Sequence, residues 1–253
     1  MKLLGGGDVN AGGYPHIFAT TSPITHQQNQ TIMRIHLKIA PSTETIPFNH
    51  LPVLTGVLHK WLGPNEMHDG LSLYSFSWLQ GGQSTRQGLR FPKGASWFIS
   101  AIDGDFLSRS IHGILADPHL RWGMHVEQAT LQAPPDFSDA PEVRFLLASP
   151  IFIKRKLPDG SEKHYLYTDP ESDALLAETL QHKLRVAGLP HEGVQAHFDR
   201  HYPKAKTQLQ RYRGIDNKCS YCPVWVQGSP EQLAFAWDVG VGNSTGIGFG
   251  AVK

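Results

Sequence analysis

"MRIHLKIAPSTETIPFNHLPVLTGVLHKWL", residues 33–62, changes its hydrophobic period half-way along, and that change sets the architecture. In its first part, within a strand predicted to open at Ile32, Ile35, Leu37 and Ile39 alternate with Arg34, His36 and Lys38. This is the period-two pattern of a strand with one buried face. Pro41 ends it, since proline has no N–H to offer a ladder. Further on, Leu54, Val57, Leu58, Trp61 and Leu62 recur every three or four residues. That spacing predicts a helix with Asn49 as its cap, Pro52 in its first turn and Gly63-Pro64 as its stop.

Downstream, the patterns predict a strand over 71–78, a polar loop over 80–88, a strand over 96–102, an amphipathic helix over 106–115 and a strand over 121–131. The order β-α-β-β-α-β is the ferredoxin-like, RRM-like unit. A Pro- and Asp-rich break, "QAPPDFSDAPE" at 132–142, reads as a linker. The second half repeats the theme loosely. Strands are expected over 143–156 and 164–168, joined by a Pro158-Asp159-Gly160 turn, and a helix capped near Ser172 or Asp173 runs to Val186 and stops at Gly188. Extended segments over 204–213 and 221–227, a short helix near Glu231, a run over 235–239, a glycine-rich loop and a last strand complete it. The expected fold class is therefore α+β: tandem ferredoxin-like units over 32–132 and 133–253, the second degenerate, with a C-terminal glycine-rich loop. Residues 1–31 are rich in Gly, Thr, Gln and Asn and read as a flexible leader or as a start that belongs at Met33.

No apolar run approaches the roughly 20 residues that span a bilayer, so a cytoplasmic location is expected. Cys219 and Cys222 form a single C-x-x-C. Without a second ligand pair or a thioredoxin-like context they read as ordinary thiols, and neither a metal nor a cofactor is expected.

The net charge of +1 hides an uneven distribution. Arg200, Lys204, Lys206, Arg211, Arg213 and Lys218 face the single acid Asp216 within 200–218. Such an excess is the footprint a phosphate backbone requires, although a solvated basic face has the same composition. On a strand, Lys204 and Lys206 would share a face, as would Arg211 and Arg213, giving two basic rows. Tyr202, Tyr212 and Tyr221 interleave with them and suit either base stacking or the core. The polar loop "QGGQSTRQGLR", residues 80–90, adds Arg86 and Arg90.

The terminus "VGVGNSTGIGFGAVK", residues 239–253, holds five glycines. It has no helix after it, no G-x-G-x-x-G and no Gly-Lys-Ser/Thr, which excludes the common nucleotide loops. Gly240-x-Gly242 and Gly248-Phe249-Gly250 bracket the polar turn Asn243-Ser244-Thr245.

With the tandem units and the basic segment, this terminus resembles the C-terminal signature of the CRISPR-associated repeat-processing endoribonucleases, the Cas6 family of RAMP proteins. The stretch 33–62 is similar to that family's opening strand and first helix, and "MHDGLSLYSFS", residues 67–77, to its histidine-containing turn and second strand. The resemblance runs over 33–253. It implies metal-independent cleavage of CRISPR precursor RNA within repeats, by attack of the 2′-hydroxyl, to a 2′,3′-cyclic phosphate and a 5′-OH product. It implies His68 as the catalytic histidine and His59 as its partner, with the glycine loop, Gly240, Gly242, Asn243, Ser244, Thr245, Gly248 and Gly250, on the RNA-binding surface, where missing side chains admit the RNA backbone. Histidine suits proton transfer because it titrates near neutrality. Some relatives carry a lysine at the start of the second strand; Leu71-Ser72 stands here, leaving Ser72, Lys60 or a cation from the glycine-loop side for the charge-stabilising role. His50 fits a structural part in the Asn49 turn. The implied partner is repeat RNA, with an interference complex or a second copy as candidate protein partners; a repeat-RNA-binding subunit that does not cleave is the alternative.

Overall fold

In a computed structural model, which describes residues 33–64 and 71–253, the first strand, β1 (Met33–Ile39), buries Ile35, Leu37 and Ile39 as its alternation requires. Helix α1 (Leu51–Leu62) follows, with Pro52 in its first turn and Gly63 ending it at φ +67°. Its N-cap is His50 rather than Asn49, and no side chain caps it. Instead His50 Nδ1 donates to the Pro47 carbonyl at 3.0 Å.

The 71–78 strand shortens to β2 (Tyr74–Phe76). The polar loop folds into a small hairpin, β3 (Gln83–Ser84) and β4 (Leu89–Arg90). β5 (Ala95–Ala101) leads to α2 (Gly104–Ala116), which begins two residues earlier than predicted because Asp103 accepts from the Asp105 N–H at 2.9 Å as a cap. The next strand, β6, spans Val126–Gln132, not 121–131: Trp122 and Gly123 take positive φ and turn the chain first. All neighbours are antiparallel in the order β2-β5-β1-β6, which is ferredoxin-like.

The predicted 143–156 strand is two strands, β7 (Glu142–Phe145) and β8 (Ile153–Lys156). Between them Ala148 N and Ser149 N turn to the Ala251 carbonyl, and Pro150 cannot continue a ladder. β8 pairs with β9 (Glu162–Tyr165), and α3 (Ser172–Val186) follows. Asp173 does not cap α3; it accepts from Phe198 N and pairs with Arg200 at 2.6 Å. After β10 (Gln195–Phe198) come a long hairpin, β11 (Lys206–Tyr212) with β12 (Ile215–Tyr221), then β13 (Val224–Gln227) and α4 (Pro230–Val239). Residues 235–239 are thus helical, held by the Ser229–Gln232 capping box with Pro230 in the first turn. The second sheet runs β10-β13-β7, and the Leu147–Val252 bridge sets the C-terminal segment beside β7. The order matches the first sheet, with the fourth strand reduced to a bridge.

Each sheet has its own apolar core, one built around Ile35, Trp97 and Phe76, the other around Leu180, Val224 and Phe235. The units meet where β1, β2 and β5 face α4. Arg34, polar on the strand's supposedly open face, is only 2% exposed. Its guanidinium lies 3.8 Å from the Phe98 ring centroid and 3.5 Å from that of Trp237, and donates to the Trp237 carbonyl. The Ser75 and Ser100 hydroxyls donate to the carbonyl and carboxyl oxygens of Asp238.

Candidate nucleic-acid interface

The C-terminal glycine segment leaves α4 at Gly240 and folds back on itself: Val241 N donates to the Gly250 carbonyl at 2.9 Å, and Gly250 N to the Pro150 carbonyl at 2.8 Å. At Gly250 φ is +64°, and a Cβ there would lie 1.9 Å from the Val241 oxygen. At Gly246 a Cβ would lie 2.3 Å from Ser72 Oγ. These glycines admit the chain's own backbone and side chains. Gly240, Gly242, Thr245, Gly248 and Gly250 are buried, so the expectation that their missing side chains open space for RNA gives way to a packing role. Of the predicted loop residues, Asn243 and Ser244 reach the surface in part. Asn243 Oδ1 accepts from Lys154 N at 2.9 Å, and Ser244 sits in the left-handed region.

The loop is clamped to the first unit. Trp78 Nε1 donates to the Gly248 carbonyl at 2.7 Å and Tyr74 Oη to the Gly246 carbonyl at 3.3 Å. This brings residues 244–247 against Ser72, at the entry to β2. His59 lies in the last turn of α1 and is half-buried. His68 falls within 65–70, outside the described residues.

Three groups were candidates for the charge-stabilising part. Lys60 Nζ is committed to Asp117 Oδ2 at 2.8 Å and the His119 carbonyl at 2.6 Å. That hydrogen bond from Lys60 is the first reason the Asp117 carboxyl is pulled down to about 2. Ser72 is packed on Gly246. Of the cations on the glycine-loop side, Arg155 donates to Asn243 Oδ1 at 3.4 Å, and Lys183 of α3 is only 1% exposed, donating to Thr245 Oγ1 at 3.1 Å and to the Val239 and Gly240 carbonyls at 3.4 Å. No carboxylate pairs with it among the described residues, and burial lowers its ammonium to about 7. With Leu71, Ser72, Ser244 and Thr245 it lines a pocket of about 230 Å³. From sequence, a lysine in the last turn of a helix reads as a surface residue complementing the helix dipole, so nothing local singled it out.

The basic residues distribute differently from the two rows expected. Lys204 precedes β11 and Arg213 sits in the turn after it at φ +47°, while Lys206 and Arg211 fall on opposite faces of the strand. Arg211 pairs cross-strand with Asp216 through Nε and Nη2 at 2.7 and 2.8 Å, and Arg200 is held by Asp173 and the Tyr167 carbonyl. Lys204, Lys206, Arg213 and Lys218 are exposed and outside the ion pairs among the described residues. Arg86 and Arg90 come together with Thr45 and Thr85 around a shallow pocket, and Arg90 Nε donates to Thr45 Oγ1 at 3.2 Å. Tyr212 packs against the first core, Tyr221 packs against the second under Lys206, and Tyr202 lies 5.4 Å from the Arg144 guanidinium. Cys219 and Cys222 are buried, with thiols pushed up by burial to about 12 and about 11, the behaviour of inert core cysteines.

A family model described as CRISPR associated protein Cas6, C-terminal, matches residues 132–253. The C-terminal unit belongs to the Cas6 family. Similar solved structures include one titled a Cas6-related gene from Pyrococcus furiosus, at 21% identity and TM-score 0.75, covering 88% of this chain and 98% of that one. A second, titled a RAMP protein binding different RNA substrates, has 20% identity and TM-score 0.73 over 87% and 98%. A third, a Cas6 product complex, has 13% identity and TM-score 0.62 over 88% and 100%. At such identities the likeness is one of fold, and it is the tandem ferredoxin-like fold described above. No curated protein matches by sequence. No helix of the described residues is long and apolar enough to cross a membrane, and no group of His, Cys, Asp and Glu among them could hold a metal.

Proposed function

We propose that this Cas6 protein is a cytoplasmic, metal-independent endoribonuclease that cleaves CRISPR precursor RNA within its repeats. The observation that carries the reading is the Cas6 C-terminal family match over 132–253, whose glycine segment is seated on the first unit beside Ser72. In the proposed reaction the ribose 2′-oxygen attacks the adjacent phosphorus and the 5′-oxygen leaves. The products are a 2′,3′-cyclic phosphate and a 5′-OH end. One imidazole of the His68 and His59 pair takes the 2′-OH proton and the other, as imidazolium, protonates the leaving oxygen. Lys183, behind the Ser72 and Thr245 hydroxyls, supplies positive charge as the pentacoordinate phosphorus gains negative charge. Arg86, Arg90, Lys204, Lys206, Arg213 and, more weakly because of Asp216, Arg211 hold the RNA backbone, with Asn243 and Ser244 at the loop surface.

The test is incubation of the protein with labelled repeat RNA in EDTA, next to the same RNA carrying a 2′-deoxy residue at the cut. Cleavage of the all-ribose strand alone is expected; a magnesium requirement or cutting of the deoxy strand refutes the chemistry. His68→Ala is expected to abolish cutting and leave affinity intact, and undiminished cleavage removes His68 from the mechanism. A second reading, a repeat-RNA-binding subunit that does not cut and serves an interference complex, is favoured by the similar structure titled as a RAMP protein binding different RNA substrates. Tight binding without cleavage in the same assay selects it.

A further inference from the structure

The first sheet has one edge that no described residue covers. At its β2 side the sheet lies against the glycine segment and α4, whereas β6, at the other side, pairs with β1 alone. In an antiparallel pair every second residue turns its N–H and C=O away from the partner strand. Along β6 these outward groups have no partner among the described residues beyond Val126, whose N–H donates to the Pro118 carbonyl at 3.0 Å. Edge strands are ordinarily blunted by brevity, charge, proline or a bulge. The second sheet shows this: its edge strand β10 has four residues, and Asp173 takes the N–H of Phe198. β6 has guards only at its ends, a register shift opposite Lys38 and Ile39 and the prolines at 134 and 135. Between them, residues 128–132 carry no charge and no proline, and all are exposed.

The side chains of this stretch complement themselves. Gln128, Thr130 and Gln132 lie on the outer face, opposite Lys38, His36 and Arg34, while Ala129 and Leu131 lie on the inner face, opposite Leu37 and Ile35. α2 packs over β1 and β5 on that inner face, and Leu131 is left 49% exposed. Gln132 Oε1 accepts from His36 Nε2, so its amide nitrogen is the free end. Gln128 Nε2 donates to Thr130 Oγ1 at 3.5 Å, so its oxygen is the free end. One glutamine thus offers a donor and the other an acceptor. The single charge on the strand, Glu127, is already paired with Lys38 at 3.0 Å.

We propose that β6 docks a second copy of this chain, antiparallel, with the two-fold axis at Thr130. In that register Thr130 faces Thr130, each Gln128 oxygen meets the Gln132 amide nitrogen of the other copy, and each Leu131 covers Ala129 of the other. Two four-stranded sheets become one continuous sheet. The neighbouring registers are worse. An axis at Ala129 sets Glu127 against Leu131 of the other copy, and an axis at Leu131 sets Pro134, which has no N–H, against Gln128. A seam of five residues a side is small for a specific interface, so association is expected to be half complete at roughly 20–100 μM chain. The seam lies on the edge opposite β2 and the glycine segment, and the inference does not rest on the cleavage reading.

Sedimentation of the full chain without RNA, from about 1 to 200 μM, tests it. A monomer–dimer equilibrium is expected, weakened about tenfold or more by Leu131→Lys, a charge placed at an exposed position of the seam. Oxidative cross-linking reads the register, with Cys219 and Cys222 buried and silent. Facing residues of an antiparallel pair have Cα atoms about 4.5–5.5 Å apart, within disulfide reach. Thr130→Cys should therefore cross-link to itself, Gln128→Cys alone should not, and a mixture of Gln128→Cys with Gln132→Cys should give the cross-linked pair. A chain still monomeric at the top of the concentration range overturns the seam. A dimer that ignores Leu131→Lys, or that cross-links Gln128→Cys as readily as Thr130→Cys, also overturns it, by placing the contact elsewhere.

Discussion

Asp238 offers a direct test of how the two units are joined. Its carboxyl is fully buried between α4 and the first sheet, accepts the Ser100 hydroxyl on Oδ1, and has no partner on Oδ2. Burial pushes it up from 3.8 to about 8, against the opposing pull of Ser100 and of Arg34. The folded chain therefore holds this proton at pH values where the unfolded chain has released it. Stability is full below about pH 4 and falls as pH rises toward 8, by about 1.4 kcal/mol per pH unit for one proton. Over that window the ceiling is roughly 6 kcal/mol, reduced by whatever Arg34 recovers. Asp238→Asn keeps the oxygen that accepts from Ser100 and cannot ionise, so its stability should lack this slope. Urea unfolding at pH 5, 6, 7 and 8, followed by tryptophan fluorescence, should show wild type losing about 1 kcal/mol or more per unit relative to the variant, with the variant ahead at pH 8. Parallel curves would mean that Asp238 is already ionised in the folded protein, paired with Arg34, and would refute the neutral-carboxyl account of this interface.

Three further outcomes are expected. Lys183→Met removes an uncompensated buried ammonium, so thermal stability should hold or rise while single-turnover cleavage slows; unchanged cleavage excludes Lys183 from charge stabilisation. Arg213→Ala should lower the salt slope of RNA binding by about one, and Arg211→Ala by less, because Asp216 already neutralises Arg211; filter binding across a salt series decides, and equal losses contradict the ion-pair argument. Gly250→Ala should destabilise by about 2 kcal/mol or more, from its left-handed φ and the clash with the Val241 oxygen; a stability within about 0.5 kcal/mol of wild type would mean that the loop relaxes freely.

Much of this architecture was open to reading from local pattern. The alternation at Ile35, Leu37 and Ile39 and the three-four spacing through Trp61 identify the first strand and helix because each buried face imposes its own period. The misses have local causes too. Pro150 split what looked like one strand, and the positive φ at Trp122 delayed β6. The capping signal at Ser229 extended α4 through residues that a period-two eye takes for a strand. The site was legible mainly as a resemblance, and its residues were legible unevenly. The basic segment was visible as composition, but which arginines are already paired was not, because Asp216 meets Arg211 only once the hairpin register is set.

The string of residues already contains two βαββαβ units, their order, and a glycine spacing that resembles the Cas6 signature. A periodic pattern states which side of an element avoids water, and says nothing about what arrives from more than a hundred residues away to cover the other side. Packing across such distances is what closed Trp237 over Arg34 and set two hairpins on either side of a cleft above His50. Those placements come from contacts between units, and contacts between units have no period in the sequence.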